Sequence, residues 1–364
     1  MKRILLVTLH SQNNNFGSVL QANSLYAYLT EAGYDVDILD YRPFYSNGAV
    51  SLKAFLKKAA VNTLYLPQYI RRSQRFETLL KSEQLTRKFT DIADVKKCAS
   101  EYDIFMIGSD QVWNPHYLCG KDPTYFLDFV ESPNKLSYAA SIGTDNLTSE
   151  EIINIGKRIS KFRFVSFREK RSVVQLKNVV RNAEYVLDPV FLYSVEHYKA
   201  MENKYIMHES GYILAYVIHK DPFIAEVIAK IAKELKKKVI QVGGFAPKCK
   251  YNSFPRSAGP AEFLTLLDHA DYVVTSSFHG TAFSHIYHKQ FAVVMPHGNE
   301  LRIENILQTA GTTDRVIKSL DDTSKILKPI DYDSVDIKIN FMRNQSKNYL
   351  KKALSAMEKP NENM

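Results

Sequence analysis

Short, wholly apolar runs alternate along this sequence with longer segments in which apolar positions recur every three or four residues. The first run, ILLVT (residues 4–8), lacks the in–out alternation of a half-exposed strand. It predicts a parallel strand buried on both faces. After the polar loop HSQNNNF, residues Val19, Leu20, Ala22, Leu25, Tyr26 and Leu29 form one helical stripe from about Gly17 to Ala32. Gly33 follows, where a glycine commonly ends a helix. DVDILDY (35–41) is the next predicted strand, so the chain opens with a strand–helix–strand unit. Residues 50–90 read as helical and basic, EYDIFMIGSDQVWN (101–114) as a strand ending in a sharp polar turn, and KLSYAASIG (135–143) as another strand. TSEEIINIGKRIS (148–160) begins with Thr148 and Glu151 at the spacing of a capping box. FRFVSFREKRS (162–172) predicts a strand running into a helix start, and NAEYVLDPVFLY (182–193) a strand broken at Asp188 by the following proline.

Polar residues 194–209 read as a connector, after which a second alternation begins with GYILAYVI (211–218). Helices are expected at 222–237, 260–269, 280–288 and 299–310, and strands at 238–244, 271–277 and 290–295. A long last helix is expected within the tail, over 335–358. Repeated strand–helix alternation predicts an α/β fold with two Rossmann-like, doubly wound parallel sheets. The expected division is a first domain over 1–195, a second over 210–335, and a helix and tail over 336–364 that packs back across both. A length of 364 residues suits two such domains. Ligands of these sheets bind beyond the carboxyl ends of the strands, so the loops there carry most functional weight.

Composition narrows the class. With 45% hydrophobic and 24% charged residues, the chain is an ordinary globular one. No apolar run is long enough for a membrane helix, and the N-terminus reads as a first strand rather than a signal peptide. Cys98, Cys119 and Cys249 are odd in number and far apart, which suits reduced thiols in a cytoplasmic protein. A net charge of +9 favours anionic partners without choosing among them. Basic clusters lie at 57–60, at Arg71, Arg72 and Arg75, and at 233–238. They lack the aromatic interleaving of a single-strand platform, and no helix-turn-helix or zinc-finger spacing occurs, so nucleic acid is not an expected partner. Most of these runs read as solvated helix faces; the alternative for the stretch 53–75 is contact with a membrane surface or an anionic lipid head group, at the inner membrane face.

Four segments at predicted strand ends carry chemistry. In NNNFGSVLQA (13–22), Gly17 permits close backbone approach and the helix behind it offers N–H groups to an anion or sugar hydroxyl; the plain reading is an Asn-rich turn. Asn15, Gly17, Ser18 and Gln21 are its candidate residues. In IGSDQVWNP (107–115), Asp110 and Gln111 offer hydrogen bonds, and Trp113 is either a stacking face for a sugar or a core plug. Arg168 in SFREKRS (166–172) is placed either to grip a carboxylate or phosphate or to pair with an acidic neighbour. In DYVVTSSFHGTAF (271–283), a strand runs into Ser276, Ser277 and His279, with Gly280 and Thr281 opening a helix. An imidazole there can exchange protons near neutral pH beside anion-binding N–H groups. No metal is expected, because His279 and His285 project to different faces. Neither GxSxG nor HExxH occurs.

Taken in order, NNNFGSVLQA, IGSDQVWNP, SFREKRS with LDPVFL (187–192), and TSSFHGTAF with the downstream LRIENIL (301–307) resemble the polysaccharide pyruvyl transferase family. The resemblance spans residues 1 to about 315. It implies a GT-B-like fold, with two domains facing a cleft. It also implies transfer of pyruvate from phosphoenolpyruvate to two hydroxyls of a sugar, as a cyclic ketal. The phosphoenolpyruvate-binding histidine of the family falls on His279, and its donor-binding arginine on Arg168. Many members carry arginine two residues before that histidine, where this chain has Ser277; Arg302 and the helix after His279 are candidates for the missing charge. The donor side then comprises Arg168, Ser276, Ser277, His279, Gly280, Thr281 and Arg302. The acceptor side comprises Asn15, Gly17, Ser18, Gln21, Asp110, Gln111 and Trp113, with His279 and Asp110 as catalytic candidates. Phosphoenolpyruvate enters as co-substrate, with no separate cofactor, and the acceptor is a polymeric or lipid-linked sugar. The alternatives are a nucleotide-sugar glycosyltransferase of the same architecture and a non-catalytic glycan- or anion-binding relative.

Overall fold

A computed structural model describes residues 1–10, 14–43, 65–203, 209–218, 221–243, 253, 255–296, 300–323 and 327–358. Cys249, the first part of the basic stretch (53–64) and loop residues 11–13 lie outside them. In the first half, β1 (Arg3–Val7), β2 (Asp35–Ile38), β3 (Ile104–Ile107) and β4 (Lys135–Ser137) form a parallel sheet of order β2-β1-β3-β4. Leu5 lies opposite both Asp37 and Phe105. Single bridges from Leu136 to Phe164 and from Ala140 to Phe167 continue this sheet toward a short pair, β5 (Ser166–Phe167) and β6 (Glu184–Tyr185). The second half holds β7 (Tyr212–Val217), β8 (Val239–Gly243), β9 (Ala270–Thr275) and β10 (Gln290–Val293), parallel in the order β10-β9-β7-β8. All six residues of β7 are buried, which explains its unbroken apolar sequence.

Helices α1 (Phe16–Glu31), α2 (Leu66–Leu80), α3 (Ile92–Cys98), α4 (Ser149–Ile159), α5 (Lys170–Leu176) and α6 (Val195–Ala200) follow in the first half. The second half adds α7 (Pro222–Leu235), α8 (Pro260–Asp268), α9 (Phe278–Ile286) and α10 (Glu300–Ala310), and the chain continues into α11 (Tyr332–Glu358). The capping box of Thr148 and Glu151 opens α4 as its spacing predicts. Two helices were not expected. The connector contains α6, anchored by the wholly buried Tyr198, whose hydroxyl donates to the Val190 carbonyl at 2.7 Å. The short α3 is held by the Asp91 cap and the buried Val95. Several strands are shorter than their apolar runs, because burial continues past the last ladder bond.

The two halves share one apolar cluster. Phe16, Val19, Leu20 and Phe76 of the first pack with Tyr216, Phe263 and Phe283 of the second. The Phe16 ring stacks on Phe263 at 4.8 Å. Helix α11 straddles both halves, as expected of the tail. Val335 and Ile339 join the second-half cluster, whereas Tyr349, Leu350, Ala353, Leu354 and Met357 cover Ile4, Leu6, Val36 and Ile38 of the first sheet. Tyr349 donates to the Ser137 carbonyl at 2.8 Å, and Tyr34 to Glu358 at 2.6 Å. Among the described residues no helix is long and apolar enough to cross a membrane.

Glu83, after α2, is 6% exposed. Burial pushes its carboxyl up to about 8, against partial relief from Asn23. A raised carboxyl contributes stability that is complete below the ordinary value of about 4.3 and is lost as pH rises toward the folded value. Glu83→Gln is therefore expected to raise the melting temperature at pH 8 and to leave it nearly unchanged at pH 5. Equal shifts at the two pH values would refute this.

Candidate active site

The carboxyl ends of the first sheet meet the start of α9 across the junction of the halves. Asp188 lies at its centre, fully buried just after β6. Its carboxylate accepts from Arg168 Nη1 at 2.6 Å, Ser109 Oγ at 2.9 Å and the Val190 amide at 3.1 Å. Burial alone would raise this acid, but the adjoining His279 and Arg168 outweigh it and hold the carboxyl well below the usual range. Arg168, 2% exposed, also lies 3.6 Å from Asp110 and 3.9 Å from Glu169, and its guanidinium sits 4.5 Å over the Phe278 ring. Glu169 is bonded by Ser141 and Ser172, yet burial keeps its carboxyl above the ordinary value. From α10, Asn305 donates to the Arg168 carbonyl and accepts from the Lys170 amide, which fixes this turn against the second half.

His279 lies in the first turn of α9, which starts at Phe278, two residues earlier than its glycine suggested. Its ring is 5% exposed, with Nε2 3.7 Å from Asp188 and without a hydrogen-bond partner among the described residues. The other side of the ring lies on Gly17 of α1. A Cβ at position 17 would fall 2.0 Å from His279 Nδ1, so this contact requires glycine. Gly17→Ala is expected to displace the imidazole and lower turnover by about 10²-fold, the effect of an ångström-scale misplacement. Steady-state kinetics of a variant with wild-type melting would check it; an unchanged rate would count against the imidazole's role.

Asp110 follows β3 in a left-handed backbone conformation, with φ 77°. It accepts from Ser18 Oγ at 2.7 Å and from the Gln111 amide at 2.9 Å. Burial raises it, but Arg168, His279 and Arg302 together bring its carboxyl below the ordinary value. The structure thus brings Gly17, Ser18, Asp110, Arg168 and His279 to one place. Arg302 adjoins them on α10, 6.0 Å from the Phe278 ring. Asp188, Ser109 and Glu169 complete the cluster; only the acidic residue before a proline at a strand end could have flagged Asp188.

Other expectations are corrected. Trp113 is wholly buried among Phe126, Phe162 and Phe167, and its indole donates to the Tyr125 carbonyl, so it is a core plug. Gln21 is also wholly buried, with its amide donating to Thr8, Leu9 and Ser18. Gln111 packs its amide against Gly143. Asn15 caps α1, accepting from the Gly17 and Ser18 amides, so those N–H groups are not open to a ligand. Ser276 accepts from the Ile218 amide, and Thr281 donates back to the Ser277 carbonyl within α9. Gly280 permits close packing rather than ligand approach, since a Cβ there would meet Thr275 Oγ1 at 2.2 Å. Ser277 is partnered by the Tyr216 side chain. Arg168 has three carboxylates within 4 Å, while its Nε and Nη2 make no hydrogen bond among the described residues.

The polysaccharide pyruvyl transferase family model matches residues 15–298, which include every member of this cluster except Arg302 and Asn305. The chain belongs to that family. The family is one of transferases in polysaccharide biosynthesis, and the residues it matches run from the cap of α1 to just before α10. No curated protein matches this transferase in sequence. Among solved structures it is similar to the Methanocaldococcus jannaschii UDP-GlcNAc 2-epimerase in complex with UDP-GlcNAc and UDP, with TM-score 0.56 and 14% identity, covering 97% of this chain and 99% of the other. The Rickettsia bellii UDP-N-acetylglucosamine 2-epimerase gives 0.55 and 11%, over 98% and 97% of the two chains. The Neisseria meningitidis UDP-GlcNAc 2-epimerase bound to UDP-GlcNAc gives 0.54 and 11%, over 98% and 100%. These likenesses establish the two-sheet GT-B-like fold.

Proposed function

We propose that this transferase moves the pyruvyl group of phosphoenolpyruvate onto two hydroxyls of a polysaccharide or lipid-linked sugar, as a cyclic ketal. The observation that carries the reading is His279: a nearly buried imidazole of the second half, set between Gly17 and Asp188 of the first, whose Nε2 has no hydrogen-bond partner among the described residues. The methylene carbon of the donor takes a proton and becomes a methyl group. One sugar hydroxyl oxygen bonds to the donor's central carbon, the bond from that carbon to the phosphate oxygen breaks, and the second hydroxyl oxygen closes the ring. Of the two hydroxyl protons, one balances the methyl group and the other leaves on phosphate.

In this reading His279 gives the proton, and Asp188, 3.7 Å from its Nε2, steadies positive charge on it. Asp110 suits a holding role. A carboxylate kept below its ordinary value is a weak base, but it accepts a hydrogen bond from an incoming hydroxyl and orients it. The test incubates the protein with labelled phosphoenolpyruvate and glycan acceptors, and separately with UDP-sugars. Phosphate release with a label-bearing ketal supports the reading. Sugar transfer from the nucleotide, with no ketal, would replace it.

A further inference from the structure

Arg72 lies on α2, outside the cluster around Asp188, and differs from Arg168 and Arg75 in what surrounds it. Arg168 is met by Asp188, Asp110 and Glu169. Arg75, one turn along α2, pairs with Glu262 at 3.1 Å and donates to the Ser257 carbonyl. Arg72 has no carboxylate partner among the described residues. Its Nη2 donates to the Asn14 carbonyl at 2.9 Å, and its guanidinium lies 4.7 Å over the Phe16 ring and 5.3 Å from the Phe76 ring. Burial lowers its proton affinity, and only the phenols Tyr216 and Tyr69 oppose that. One hydrogen bond engages one of five guanidinium N–H donors. Ring contacts offset part of the desolvation of a charge but do not neutralise it.

The position gives this cation a use. Asn14 immediately precedes the cap of α1, so the guanidinium lies by the positive end of a 16-residue helix. Phe16, over which it stacks, is the neighbour of Gly17, on which the His279 ring rests. Tyr216, the charge neighbour of Arg72, is hydrogen-bonded to Ser277, the cap residue of α9. A partly exposed fork of donors therefore lies over the neighbour of the glycine on which the His279 ring rests, with no carboxylate partner among the described residues. We infer that Arg72 is the cation that receives an anionic oxygen group of the substrate, carboxylate or phosphate, while Arg168 holds the site together. This deepens the proposed function and rests on it for the donor's identity.

Calorimetry with phosphoenolpyruvate, inorganic phosphate and a UDP-sugar, on wild type, Arg72→Gln, Arg72→Lys and the exposed-site control Arg71→Gln, tests it. Arg72→Gln should weaken phosphoenolpyruvate binding roughly 10- to 100-fold, the range of a lost charge-assisted pair. Arg72→Lys should restore part of that loss, and Arg71→Gln should bind as wild type. Unchanged affinity in a folded Arg72→Gln protein overturns the inference and leaves the proposed function standing. Should Arg72→Gln not fold, unchanged phosphoenolpyruvate affinity in a folded Arg72→Met protein, which keeps an apolar stem near Phe16 without the charge, overturns it equally. Arg72-dependent binding of the UDP-sugar, with none of phosphoenolpyruvate, supports the anion site and discards the donor. Failure of wild type to bind any of the three overturns the inference.

Discussion

Replacing His279 with alanine is expected to lower kcat by about 10²–10⁴-fold, the range for loss of a positioned acid or base. The reason is placement. The imidazole is fixed on one side by Gly17, which leaves no room for a side chain, and faces the buried Asp188 on the other. Its Nε2 has no hydrogen-bond partner among the described residues. His285 makes the contrast within the same helix: it is hydrogen-bonded to the Thr281 carbonyl and to Thr312, and burial brings it down to about 4. Substitution there should cost stability and spare turnover in the molecules that remain folded. Phosphate release from phosphoenolpyruvate, measured beside thermal melting, separates the two cases. A folded His279→Ala protein with a near-wild-type rate would remove the imidazole from the chemistry.

Asp188→Ala is expected to destabilise the protein by about 3–5 kcal/mol, because it leaves Arg168 buried with its nearest counter-charge removed. Asp110 at 3.6 Å and Glu169 at 3.9 Å remain, but neither is within hydrogen-bond distance of the guanidinium. Asp188→Asn keeps the shape and removes the charge, so the two variants divide packing from electrostatics. The folded carboxyl is depressed, and its contribution is therefore complete above the unfolded value of about 3.9 and decays as pH falls below it. Urea unfolding should show the largest gap between wild type and Asp188→Asn near neutral pH, narrowing in acid. Coincident unfolding curves at pH 7 would contradict this account.

The architecture was readable because parallel strands buried on both faces leave unbroken apolar runs, as in ILLVT and YILAYV, and because local caps such as Thr148 with Glu151 act within one turn. Helix α6 leaves no pattern in the sequence because one anchored tyrosine, rather than a stripe, holds it. The site was readable only in part. His279, Asp110, Ser18 and Gly17 stand at strand–helix junctions that the alternation itself locates. The partners of Arg168 are tertiary: Asp188 is 20 residues away and Asp110 is 58. Whether Trp113 stacks on a ligand or fills a core depends on Phe126, Phe162 and Phe167, which no local pattern joins to it.

The strap formed by α11 also bears on how the protein is made. Leu350, Ala353 and Leu354 cover Ile4, Leu6 and Ile38, residues separated from them by more than 300 positions in every pair. A ribosome releases the first sheet long before it releases that cover. The earliest strands must wait, with part of their greasy face bare, until translation reaches the far helix, so the nascent chain passes through a vulnerable interval that the finished molecule no longer shows.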